Sequence, residues 1–258
     1  MKRPLRTSLI FFGGLLTIAG IVLAGWTAMA ALSQHDVRAQ QIFPFTANNL
    51  VIDTDNGGVT LEPGEPGKVT VDRKLTDSVN GPDPTWSLEG NRLKLRLHCP
   101  SFFGIACGGS YRIKVPLNVP LDVSSDNGGI SASGLRQDLT FSTDNGHLDV
   151  SDSTGNLRLT SDNGGITTSR VNADQVWVQT GNGGVRLRFD SAPGNVRVRT
   201  DNGGVRVTVP EDQNTYQVRT HSGNGGIENG IDNDSRSKRS IDVGTSNGGI
   251  TLDRAPVR

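Results

Sequence analysis

From residue 121 onward, short runs of alternating apolar and polar residues are broken by the same glycine turn again and again. Asn127, Asn145, Asn163, Asn182, Asn202, Asn224 and Asn247 each begin such a turn, and Asn56 begins an earlier copy. Two residues before each asparagine stands a small hydroxyl, from Thr54 and Ser125 to Ser222 and Thr245. Three residues after it stands an aliphatic, from Val59 and Ile130 to Ile227 and Ile250. Glycine follows every asparagine, and a second glycine follows that one except at His147. Apolar residues four and six before the asparagine (Leu157 and Leu159, Val196 and Val198) complete a strand, turn, strand unit with period-2 alternation on both sides.

A repeat of about 20 residues fixes the architecture before any other feature. Asn-Gly tolerates positive φ at both positions, so each copy is also a hairpin signal. Two all-β folds therefore compete, a meander of hairpins and a parallel β-solenoid with the same corner on every rung. The constant phase of the turn favours the solenoid, in which like residues stack over like and the aliphatics form one continuous column. The eight asparagines are then structural turn residues. The repeat around Asn247, last in the chain, is expected to end the stack.

The regular repeats fill residues 121–258, and residues 45–120 continue the alternation less evenly, as an irregular or capping part of the same ectodomain. Residues 34–44 look like a short polar linker, and residues 229–239 like a solvated loop. Before them, residues 8–33 form an uncharged run rich in Leu, Ile, Ala and Gly. It exceeds the roughly 20 residues that span a bilayer. Lys2, Arg3 and Arg6 in residues 1–7 place that end in the cytoplasm by the positive-inside rule. The expectation is a single-pass signal anchor in the cell membrane with the C-terminal domain outside. The rival is a signal peptide cleaved after Ala30, since Ala28-Met29-Ala30 has the small-residue form. In an exported chain the only two cysteines, Cys99 and Cys107, are expected to pair as a disulfide.

Charge and chemistry narrow the function. The chain has 26 Lys and Arg against 26 Asp and Glu, for a net charge of zero, so bulk electrostatics give no case for nucleic acid. Asp55, Asp126, Asp144, Asp162 and Asp201 precede the turn asparagines, but Gly181, Gly223 and Ser246 interrupt that column, which suits a turn better than a calcium ladder. His35, His98, His147 and His221 are scattered, and neither a metal signature nor a nucleophile elbow occurs. No catalytic residue, metal or cofactor is expected. One outward column is more suggestive: five before the asparagine it reads Thr140, Arg158, Trp177, Arg197. With Arg186, Arg188, Arg199 and Arg206 at other outward positions, it is a candidate patch for an anionic or sugar polymer. The alternative is a solvated face stabilised by cation–π contacts, with Asp174, Asp190 and Asp201 offsetting the charge.

The basic tail, the apolar span and the Val-x-Val-x-Thr-Asp-Asn-Gly-Gly-Val-x-Val pattern together resemble the bacterial DUF4097 family, adhesin-type β-repeat proteins of the envelope. The resemblance covers residues 45–258 and is clearest over 121–208; His147 and the loose copy at Asn224 depart from it. It implies a non-catalytic binding, adhesion or scaffolding role, with a cell-wall polymer or an envelope protein as partner. A regulator of envelope stress acting through a membrane partner is the second reading, and a polysaccharide-acting enzyme the third.

Overall fold

The computed structural model describes residues 35–77, 83–98 and 108–256. Within them lie 21 strands and no helix. In chain order these begin with β1 (His35–Pro44), β2 (Leu50–Asn56), β3 (Gly58–Gly64), β4 (Lys68–Asp77), β5 (Asp83–Glu89), β6 (Arg92–His98) and β7 (Gly108–Pro116). The regular repeats follow as β8 (Leu121–Asn127), β9 (Ile130–Ser133), β10 (Leu139–Asn145), β11 (Leu148–Ser151), β12 (Leu157–Asn163), β13 (Ile166–Val171), β14 (Gln175–Asn182) and β15 (Val185–Phe189). The last six are β16 (Asn195–Asn202), β17 (Val205–Pro210), β18 (Gln217–Asn224), β19 (Ile227–Asn229), β20 (Ser240–Asn247) and β21 (Ile250–Ala255). The apolar run 8–33 and both cysteines lie outside the described residues. Among the described residues no helix is long and apolar enough to cross a membrane.

The strands form two facing sheets, sheet 1 of 11 strands and sheet 2 of 10. Each repeat puts its first strand in sheet 2, turns the corner at Asn-Gly-Gly, and puts its second strand in sheet 1. Neighbouring rungs are parallel and in register, with Asn127, Asn145, Asn163, Asn182 and Asn202 aligned across five of them. Among the described residues antiparallel pairing is confined to β1–β4, β4–β7 and β5–β6 at the N-terminal end. The repeats are therefore rungs of a parallel solenoid and not hairpins.

Period-2 alternation sends every second residue inward. Leu157, Leu159, Val176, Val178, Val196 and Val198 from sheet 2 meet Ile166, Val185, Leu187, Val205 and Val207 from sheet 1, all 3% exposed or less. The hydroxyl column runs beside them, buried at every position but Ser222. Thr143, Ser161, Thr180, Thr200, Thr245 and Ser222 each donate to the carbonyl of a turn glycine on an adjacent rung, at 2.8–3.1 Å. At these six positions the hydroxyl meets the partner a polar atom needs away from water; Thr54 and Ser125, at the N-terminal end of the column, are buried with no partner among the described residues.

The corner itself departs from the turn chemistry expected of Asn-Gly. None of the eight asparagines has positive φ, and of the glycines that follow them only Gly57, at 112°, lies well inside the left-handed region. Gly225 and Gly248, at 158° and 159°, are close to extended. The corner carries the chain from one sheet to the other instead of reversing it within one sheet, so the doubly left-handed hairpin geometry is not needed. Glycine is demanded by the neighbouring rung. A β-carbon on Gly164 would stand 1.8 Å from the Gly146 carbonyl oxygen, and on Gly183, Gly203 and Gly248 it would stand 2.0–2.1 Å from the equivalent oxygen. At the second glycine the room is greater: on Gly184, Gly204 or Gly249 the nearest atom is 3.5 Å away. His147 occupies this roomier slot, exposed, while Leu148 keeps its register with Ile130 and Ile166.

Both ends differ from the order along the chain. The first rung, β2 with β3, lies between the rung of β6 and β7 and that of β8 and β9. Beyond it β4, β1 and β5 close the sheets at that end. The expected linker is instead β1, paired with β4 from His35↔Asp77 to Pro44↔Lys68. Its inward positions include Phe43, which packs against the core, so this segment completes the cap. At the other end β20 and β21 insert between the sixth rung and β18–β19, so the copy at Asn224 ends the stack and the copy at Asn247 does not. Residues 229–239, expected to be a solvated loop, lead back to that slot and are held in place. Ile231 is buried, Ser237 Oγ donates to the Thr215 carbonyl, and Arg239 Nη1 donates to the carbonyls of Ala192 and Pro193.

The only two tyrosines sit near the two ends, Tyr111 on β7 and Tyr216 just before β18, both fully buried with no partner for the hydroxyl among the described residues. Burial pushes both phenols up to about 12.

Two outcomes follow from this packing. Gly164→Ala should destabilise the chain by about 1–3 kcal/mol, the range of overpacking, because rung spacing cannot open locally. Gly184→Ala, at the roomier position, should stay within about 0.5 kcal/mol; chemical denaturation of both variants distinguishes them. A phenol held protonated by the fold contributes stability that is complete below about pH 10 and declines as pH rises from there to about 12. Ultraviolet titration of the native chain should accordingly show both tyrosines ionising near 12, with neither at the usual 10.

Candidate functional site

The outward positions of sheet 2 form straight rows across the strands, because parallel in-register pairing stacks equivalent residues. One row runs Thr140, Arg158, Trp177, Arg197 on β10, β12, β14 and β16, as the column predicted. It then continues to Asp242 on β20 and Arg219 on β18. The Arg158 guanidinium lies over the half-buried Trp177 ring, 3.8 Å from its centroid. Alongside runs a row of amides and hydroxyls, Asn156, Gln175, Asn195, Ser240 and Gln217. The two rows line a shallow groove of about 530 Å³.

Asp242 organises the charge here. Its Oδ2 accepts from Arg199 Nη2 at 2.8 Å and stands 3.7 Å from Arg197 Nε. Arg199 also donates to the carbonyls of Val198 and Asp242, which fixes it to the sheet. Arg197 is left with a loose pairing, its side chain 62% exposed. Arg158 makes no ion pair among the described residues and is committed only to the indole. Among the described residues no group of three or more His, Cys, Asp or Glu could hold a metal.

The seven residues expected to form one patch divide between two faces. Arg158, Trp177, Arg197 and Arg199 stand on sheet 2. Arg186, Arg188 and Arg206 stand on sheet 1, across the sandwich, because they follow the Asn-Gly-Gly corner of their repeats. There Arg206 pairs with Asp253 at 3.1 Å and Arg188 Nη2 donates to the Pro256 carbonyl at 3.3 Å. The expected counter-charges Asp174, Asp190 and Asp201 form no ion pair with these arginines; Asp242 and Asp253 do. Asp242 and Arg219 were missed although both stand five before their turn asparagines. The outward column extends beyond its four successive repeats to these two, and the inserted rung puts Asp242 beside Arg197.

Sequence comparison agrees with this architecture. A family model described as Toastrack DUF4097 matches residues 47–188 and, in an overlapping placement, 119–253. The chain belongs to the DUF4097 family. Overlapping placements are natural for this Toastrack chain, since its rungs are near-copies. Among solved structures, a candidate adhesin from Bacteroides fragilis NCTC 9343 is similar over 85% of this chain and 97% of its own, at 12% identity and a TM-score of 0.53. A candidate adhesin from Parabacteroides distasonis ATCC 8503 covers 85% of this chain and 97% of its own at 10% identity, with a TM-score of 0.46. A candidate lipid-binding protein from the same organism covers 84% and 96% at 9% identity, with a TM-score of 0.44. At such identities the likeness is one of fold. A comparison with curated proteins finds no match.

Proposed function

We propose that this DUF4097 chain is a non-catalytic adhesion module of the cell envelope, held to the membrane by residues 8–33, that binds a glycan polymer on the outer face of sheet 2. The observation that carries the reading is the exposed row of Arg158, Trp177 and Arg197 beside a row of amides. With Arg158 over one face of the half-buried indole, the rest of the ring offers apolar surface to a sugar, guanidinium groups pair with acidic substituents, and amides exchange hydrogen bonds with hydroxyls. A shallow groove along the sheet face suits a polymer lying across the rungs better than an enclosed small molecule. The adhesin descriptions of proteins with this fold point the same way.

The test is co-sedimentation of the detergent-solubilised full chain with polysaccharide from its own cell envelope. Trp177→Ala should weaken binding about tenfold, equivalent to roughly 1.4 kcal/mol. Arg186→Ala, on the opposite face, should leave it unchanged. Equal loss from both variants, or from neither, would remove sheet 2 as the binding face.

A further inference from the structure

We infer that the sheet 2 row is a charge ruler for an acidic polysaccharide bearing one carboxylate on every second sugar. The inference rests on the reading that this face binds a glycan, and adds which glycan.

The row from β12 to β18 reads Arg158, Trp177, Arg197, Asp242, Arg219, one residue per strand. A cation therefore recurs on every second strand. With strands about 4.8 Å apart, the positions that bear these arginines stand about 9.6 Å apart, and the five positions span about 19 Å. All three cations are available. Arg158 is committed only to the indole. Arg197 has its loose 3.7 Å pairing, and exposed pairs of that kind contribute about 0–1 kcal/mol, so a ligand can displace it. Arg219 is exposed and makes no ion pair among the described residues. The one acid between them, Asp242, is drawn to Arg199 on the next row at 2.8 Å.

That spacing discriminates among polyanions. A nucleic-acid strand carries a phosphate about every 3.4 Å along the duplex axis, far denser than the cations here. An extended acidic peptide presents side chains on one face about every 6.7 Å, out of step with a spacing of about 9.6 Å after the first contact. An extended glycan advances by roughly one strand spacing per ring. A carboxylate on alternate rings then meets Arg158, Arg197 and Arg219 in turn, with the intervening rings over Trp177 and Asp242. The indole takes an apolar ring face, and the Asp242 carboxylate accepts from hydroxyls. The row also sets a limit: two strands before Arg158, where the next cation would fall, stands Asp122. The window reads three charges.

Calorimetry of the detergent-solubilised full chain tests this with three defined probes: hyaluronan oligosaccharides (one carboxylate per disaccharide), oligogalacturonates (one per sugar) and neutral cello-oligosaccharides. Hyaluronan should bind tightest, at least tenfold over the neutral probe. Arg219→Gln should lower its affinity about fivefold, and Asp122→Lys, which extends the ruler, should raise the affinity of longer hyaluronan chains only. Thermal melts matching wild type would certify that both variants fold. Tighter binding of oligogalacturonate, or no response to Asp122→Lys, would overturn the ruler. Equal binding of the neutral probe with Trp177→Ala still weakening it would overturn the ruler and leave the glycan face standing. Absence of binding to all three probes, or binding insensitive to Trp177→Ala, would overturn both.

Discussion

The contact on which the rest of this structure depends is the approach of one rung's corner to the next. At the first turn glycine a backbone carbonyl fills the space a β-carbon would need, so the two rungs meet main chain to main chain. The asparagine before it ties the same corner sideways. All eight form one ladder, each side-chain amide donating to the carboxamide oxygen of the preceding asparagine at 2.8–3.4 Å, with Asn56 donating to the Leu97 carbonyl at the far end. Each link is modest, about 1 kcal/mol net for a typical hydrogen bond, but every link also fixes register. A slip by one residue would turn the aliphatic column outward, so a device that fixes register protects the core as a whole. The same alignment places Arg158, Trp177 and Arg197 in a straight row, which makes the functional face a consequence of the corner.

An ordinary solenoid leaves its first and last repeats to fray, because each has one neighbour. Here both are tucked inside. The first repeat is covered by β6 and β7, themselves covered by antiparallel strands, and the last by β18 and β19. The cost falls on the outer rung at the C-terminal end, where Ile227 is 44% exposed while Ile166 and Ile250 in the same column are at 0% and 1%. Charge is exchanged across the insertion as well: Asp242 and Asp253 arrive on the last repeat and pair with Arg199 and Arg206 of the sixth.

Much of this was legible along the chain. Hydroxyl, asparagine, glycine and aliphatic columns each predicted one layer of the stack, and the outward column anticipated the stacking of Arg158 on Trp177. Stacking order was not legible, since every rung offers its neighbours the same columns and any rung can sit on any other. Order is decided by connections such as residues 229–239, whose path depends on where Ile231, Ser237 and Arg239 find partners. Sheet membership depends on which side of the corner a residue stands. Arg197 and Arg206 are close in sequence, yet the corner between them puts them on opposite faces. The strand β1 was hidden because its inward positions include Gln41, which reads as polar linker until β4 is beside it.

Hydrogen exchange resolved along the native full chain tests the central claim, that stacking by shared columns and not chain order sets the architecture. If β20 and β21 are sandwiched between rungs, their amides should exchange more slowly than those of β18 and β19, although they lie nearer the C-terminus. Protection that instead falls steadily from β16–β17 through β18–β19 to a frayed β20–β21 would contradict it.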